Sequence, residues 1–123
     1  MARCDEGYRC QVCGDDVENI TVSDLYLRYV IGEFDPEVLH TTPERHVRCN
    51  PALAQFIVDE NFPPLFAEGP FDKRQLDATF VRERETFVTR GWQRLQELAT
   101  LSEVSMLEYP LPEVRERMRG SLP

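Results

Sequence analysis

Residues 46–51, His46-Val47-Arg48-Cys49-Asn50-Pro51, set two metal-ligand residue types directly before a helix-start signature. An earlier stretch, Cys10-Gln11-Val12-Cys13-Gly14, holds two thiols at the same spacing. Two intervening residues let both members of a pair reach one ion, at about 2.3 Å for sulfur on zinc. Gly14 tolerates the positive φ that such a tight turn needs. The pairs are 32 residues apart, enough for a hairpin and a connector to bring them together. Zinc takes four soft or borderline ligands tetrahedrally, so the pattern predicts one structural Zn2+ held by Cys10, Cys13, His46 and Cys49. A closed set of ligands leaves no position for a reactive water, which disfavours hydrolysis at the ion.

His40 and Cys4 stand as alternatives to His46 for the fourth ligand, although only His46 is paired with a cysteine. The Cys10–Cys13 pair also fits a redox centre, or the cysteines are inert buried thiols. A redox pair expects a strand before it and a helix starting at it, whereas Gly14-Asp15-Asp16 reads as a turn.

Between the pairs, residues 19–23 (NITVS) and 25–34 (LYLRYVIGEF) are β-branched and aromatic and are separated at Ser23-Asp24. This predicts a β-hairpin, with a helix over 24–32 capped by Ser23 as the alternative. Asp35-Pro36 resembles an N-cap with a first-turn proline and predicts a short helical turn over 37–40. Asn50-Pro51 repeats that signature before Leu53, Ala54, Phe56, Ile57 and Val58, predicting a helix over about 51–59. The loop NFPPLFAEGPF at 61–71 is too rich in proline for regular structure.

A second, longer helix is expected from near Asp72 to Leu101. Its stripe runs through Leu76, Phe80, Phe87, Leu95 and Leu98, with Val81, Val88, Trp92 and Ala99 beside it. Gly91 falls in its middle, which suggests close packing or a bend. The tail predicts an extended stretch at 109–111 and a short helix from Pro112 that ends at Gly120.

A cysteine knuckle, a hairpin and a helix start supplying the last ligands together resemble a treble-clef zinc finger over residues 8–59. The resemblance rests on Cys10, Cys13, Gly14, His46, Cys49 and the helix after them. It also extends to HNH-type nucleases, which share a histidine ahead of a Cys-Asn pair, here His40 or His46 before Cys49-Asn50. Those enzymes use a histidine base and a second metal ion. If His46 binds zinc, only His40 remains as base, and no Asp-His pair precedes it.

The fold class expected is α+β: a small zinc-binding hairpin and helix unit (1–60), then a long amphipathic helix and a short C-terminal helix (72–120), in a single domain. With 41% hydrophobic and 29% charged residues, the 123-residue chain has an ordinary folding composition. The net charge of -8 disfavours extended contact with nucleic acid. Thirteen of the 14 basic residues are Arg, and Arg82, Arg84, Arg90 and Arg94 offer a local basic side to the long helix. The first residues lack a signal-peptide apolar core and no apolar run reaches about 18 residues, so a cytoplasmic protein is expected. No phosphate loop, Gly-x-Ser-x-Gly elbow or His-Glu-x-x-His helix is present.

The functional expectation is a non-enzymatic zinc-stabilised interaction module. Nucleic-acid regulation and metal-dependent nuclease activity are the alternatives. A short finger cannot cover Phe80, Phe87, Trp92 and Leu95, so a protein partner or a second copy is expected to bind through the long helix.

Overall fold

The computed structural model describes residues 8–120. It is mixed and mostly helical. Strands β1 (Tyr8–Arg9) and β2 (Asp16–Val17) pair antiparallel, with Tyr8 opposite Val17 and Arg9 opposite Asp16. The turn between them closes through the Gly14 N–H on the Cys10 carbonyl at 2.9 Å and the Cys10 N–H on the Asp15 carbonyl at 2.8 Å. Gly14 adopts φ +83°, the left-handed conformation that favours glycine.

No hairpin forms over 19–34. A 3-10 turn at Ile20–Val22 leads into helix α1, Asp24–Val30. The Ser23 hydroxyl accepts from the Tyr26 N–H at 3.1 Å and so caps the helix. Leu25, Tyr26, Leu27, Tyr29 and Val30 are all buried, so α1 is apolar nearly all round because it runs through the core. The same aromatic and β-branched composition mimics a strand, and tertiary burial overrides that propensity.

The turn expected after Asp35 is a 3-10 turn at Pro36–His40, although the Asp35 side chain does not cap it. Helix α2 covers only Pro51–Ala54. The chain then tightens, with Phe56 N–H on Leu53 and Ile57 N–H on Ala54 in i→i+3 bonds at 3.1 and 3.0 Å. The loop that follows has little regular structure but is pinned by Gln55, which is 2% exposed. The Gln55 amide nitrogen donates to the Ala52 and Phe71 carbonyls, and its oxygen accepts from the Ala67 and Lys73 N–H groups.

Asp72 caps a short 3-10 turn, Lys73–Gln75, and helix α3 begins later, at Ala78–Leu98, where Asp77 accepts from the Phe80 N–H. Its buried face carries Val88, Gly91, Trp92, Leu95 and Leu98. Trp92 and Leu95 are covered within the chain, at 7% and 0% exposure, which removes them as a reason for a second copy. Phe62 from the pinned loop meets the Trp92 ring edge-on at 5.6 Å. Phe80 stays 50% exposed. Helix α4, Pro112–Gly120, is anchored by the Leu111 N–H on the Val30 carbonyl at 3.0 Å and by the Arg90–Glu113 ion pair.

Helices α1 and α3 cross at Gly91. A Cβ there would lie 2.4 Å from Cγ2 of Ile31, a β-branched side chain that is itself buried. Gly91→Ala therefore sets a helix-propensity gain of about 1 kcal/mol against an overpacking cost of about 1–3 kcal/mol. The expected result is a net destabilisation of about 1 kcal/mol in urea unfolding, and the double variant Gly91→Ala/Ile31→Ala is expected to lose less than the sum of the two single losses, because the clashing methyl is gone. A rise in the unfolding midpoint of the single variant would contradict the close crossing.

Candidate metal centre

The knuckle and residues 46–49 meet beside the start of α1. Ser23 and His46 form an antiparallel bridge, and the Asp24 N–H donates to the Arg45 carbonyl at 2.9 Å. The Asp24 carboxylate, 1% exposed, accepts from Arg45 Nε at 2.7 Å and Asn50 Nδ2 at 2.9 Å. Arg28 Nη1 lies 3.7 Å from it. One buried carboxylate thus clamps the residues on both sides of His46 and Cys49. Asn50 spends its amide on this clamp and does not cap α2.

Ligand atoms of Cys10, Cys13, His46 and Cys49 all lie within 4.8 Å of one another. Sulfurs on one tetrahedral ion stand about 3.8 Å apart, given bonds of about 2.3 Å. His46 Nδ1 lies 3.3 Å from Cys13 Sγ and 3.8 Å from Cys49 Sγ, close to that spacing. The other ring nitrogen, Nε2, is 2.8 Å from the Asp16 carbonyl, which can only accept. In the neutral ring the proton therefore sits on Nε2 and the Nδ1 lone pair faces the sulfurs, the arrangement metal-bound histidines adopt.

Cys10 is buried, and its Sγ accepts from the N–H groups of Val12, His46 and Cys13 at 3.4, 3.4 and 3.5 Å. Burial opposes its thiolate, but these N–H groups and the Cys49 thiol outweigh burial and bring Cys10 down to about 6. Cys49 moves the other way. Burial, then its bonds to Cys10 and Cys13, then their charge push it up to about 12. Burial also disfavours the His46 imidazolium, yet the Asp16 carbonyl, Cys10 and the charge of Asp15 raise its pKa. Without a cation Cys10 and Cys49 resist joint ionisation. A divalent ion removes that repulsion, so the donor set fits one by number, chemistry and spacing.

The four residues singled out in the sequence come together. Of the alternatives, Cys4 and the side chain of His40 lie outside the described residues. The treble-clef arrangement is not reproduced, because a helix replaces the hairpin between the ligand pairs and α2 has a single turn. Sequence reading missed Asp24 and the Asp16 carbonyl. The acid-to-base spacing of Asp24 and Arg45 is not local, and a backbone acceptor carries no residue signal.

Comparisons with known proteins find no matching family model, no significantly similar curated protein and no significantly similar solved structure.

Asp24→Ala leaves the Arg45 guanidinium and Asn50 amide facing a lost acceptor. The arginines left behind reach solvent, so the loss is that of hydrogen bonds to a buried carboxylate, and chemical unfolding in the presence of a chelator is expected to show about 2–3 kcal/mol. A loss below about 1 kcal/mol would mean that Asp24 does not organise the ligand segment.

Proposed function

We propose that this chain is a non-enzymatic, zinc-stabilised interaction module. One Zn2+ joins the knuckle to the α1–α2 region, and the surface around it receives a protein partner. The observation that carries the reading is His46: its Nε2 is fixed on a carbonyl while Nδ1 converges on two cysteine sulfurs. Three thiolates and one imidazole favour zinc over harder cations and fill its tetrahedron, which supports a structural role rather than a hydrolytic one. The engagement of Asn50 with Asp24 speaks against a nuclease-type use of the Cys-Asn pair.

A protein fits the surface better than a nucleic acid. Along α3, Arg84, Arg90 and Arg94 are paired with Glu33, Glu113 and Glu97, so few free cations face a phosphate backbone. Among the described residues no helix is long and apolar enough to cross a membrane.

Elemental analysis of protein purified without chelators is expected to give one zinc per chain, and an absence of stoichiometric metal would defeat the reading. Cys13→Ser and Cys49→Ser are expected to lose the ion and several kcal/mol of stability, since the binding energy of a structural zinc is folding energy.

The protons on Cys49 and His46 give a further expectation. Both groups hold protons more tightly than usual in the metal-free fold, and both must release them to bind the ion. Zinc affinity should therefore rise with pH, and binding near pH 7 should release protons. Titration calorimetry in buffers of different ionisation enthalpy measures this, and an affinity independent of pH between about 6 and 8 would contradict the ligand set.

A further inference from the structure

Three free thiols converge in the metal centre, but they do not meet solvent equally. Cys13 is exposed, Cys49 is half-buried and Cys10 is buried. Cys13 and Cys49 line one cleft, and Cys10 is not part of its lining. A small solute therefore reaches the first two residues by the same route.

Cys10 is also the sulfur most firmly held. The N–H groups of Val12, His46 and Cys13 point at its Sγ and occupy the lone pairs that an attack would use. Among the described residues no backbone N–H does this at Cys13 or Cys49. Their sulfurs both approach His46 Nδ1, at 3.3 and 3.8 Å, and lie within 4.8 Å of each other. A disulfide draws its sulfurs to about 2.05 Å. Residues 11–16 are all exposed, so the Cys13 side chain can close that gap without displacing a core group. The bond would span the gap that an ion spans, from the knuckle to the turn before α2. A Cys10–Cys13 bond would instead close within the knuckle and leave that gap untied.

We propose that the metal centre is also an oxidation site: a small hydroperoxide converts Cys13 and Cys49 to a disulfide, and the ion leaves with the loss of two of its four ligands. Release of the ion rests on the zinc reading above, whereas the thiol chemistry does not. The Cys13 thiolate attacks one peroxide oxygen, the O–O bond breaks, and a sulfenic acid forms while the other oxygen leaves as hydroxide. The Cys49 thiolate then attacks the sulfenic sulfur, forming the S–S bond and breaking the S–O bond, which releases a second hydroxide. The two sulfurs give up two electrons, one peroxide is reduced, and two protons from solvent turn both hydroxides into water. Cys10 and His46 remain, half of the set that zinc requires.

The full chain, with its zinc content measured, is treated with hydrogen peroxide while a chromogenic chelator follows released zinc. Remaining thiols are then blocked and the protein is digested without reduction. Cleavage after Arg9, Arg28, Arg48 and Lys73 leaves Cys10 and Cys13 on one peptide and Cys49 on another, and fragmentation at Gln11-Val12 tells Cys10 from Cys13. The expected result is Cys13–Cys49 as the main disulfide, Cys10 recovered as a blocked thiol, and zinc released in step with the disulfide. Dithiothreitol with added zinc is expected to reverse both changes. Cys4→Ser, which removes the cysteine outside the described residues, is expected to give the same map. Every ligand residue is kept, so the outcome does not depend on whether a ligand variant folds.

A dominant Cys10–Cys13 disulfide, a disulfide through Cys4, oxidation that stops at sulfinic acid, or zinc release without a disulfide would overturn the proposal. Stoichiometric zinc with no Cys13–Cys49 disulfide defeats the oxidation site and leaves the metal reading standing. A Cys13–Cys49 disulfide in a chain that binds no zinc when supplied with it supports the thiol pair and defeats the metal reading alone.

Discussion

The buried carboxylate of Asp24 is the constraint on which the centre of this structure depends. A charge at 1% exposure persists only where donors replace its lost hydration, and Arg45 and Asn50 supply them from either side of the ligand turn. Asp24 is also the first residue of α1, where the free N–H groups of a helix start favour a negative charge. The first turn of one helix therefore sets the position of residues 45–50. Ser23, its immediate neighbour, adds a second tie by donating to the Glu44 carboxylate at 2.8 Å.

The electrostatics of the thiols follow from that placement. Cys10 is drawn toward the thiolate by N–H groups from its own turn and from His46, while Cys49, pressed against the same sulfurs, holds its proton to about 12. The fold has assembled a set of donors that repel one another unless a cation sits among them. The two-residue strands and the one-turn α2 add little rigidity of their own. What keeps the donors together is the Asp24 clamp and the bond from Gln11 N–H to the Glu44 carbonyl.

The cluster of Cys10, Cys13, His46 and Cys49 was legible because their chemistry and spacing lie side by side in the chain, and α3 was legible because its apolar positions repeat at the helical period over 21 residues. The segment over 24–30 was misread because a helix buried on nearly all sides has the composition of a buried strand, and only the hydroxyl of Ser23 distinguished them. The length of α2 was overestimated because the chain leaves the helix after Ala54 for reasons outside its own pattern: Phe56 and Ile57 turn to i→i+3 bonds, and the Val58 N–H donates to Thr89 on α3, 31 residues away. The cover over Trp92 was missed for a related reason. It comes from Phe62 in an irregular loop, whose course depends on a distant amide rather than on any local pattern.

That amide, on Gln55, ties the stretch around residues 67–73 to the end of α2 through three hydrogen bonds from one side chain, with a fourth to the Ala52 carbonyl of α2 itself. A proline-rich connection of this kind would ordinarily open as an independent unit, with amide protons exchanging quickly. Here its opening exposes the Gln55 carboxamide, uncovers Trp92 and loosens the segment that follows Cys49. The connection is thereby built into the same cooperative unit as the core, so a segment without regular structure should open only with the elements around it.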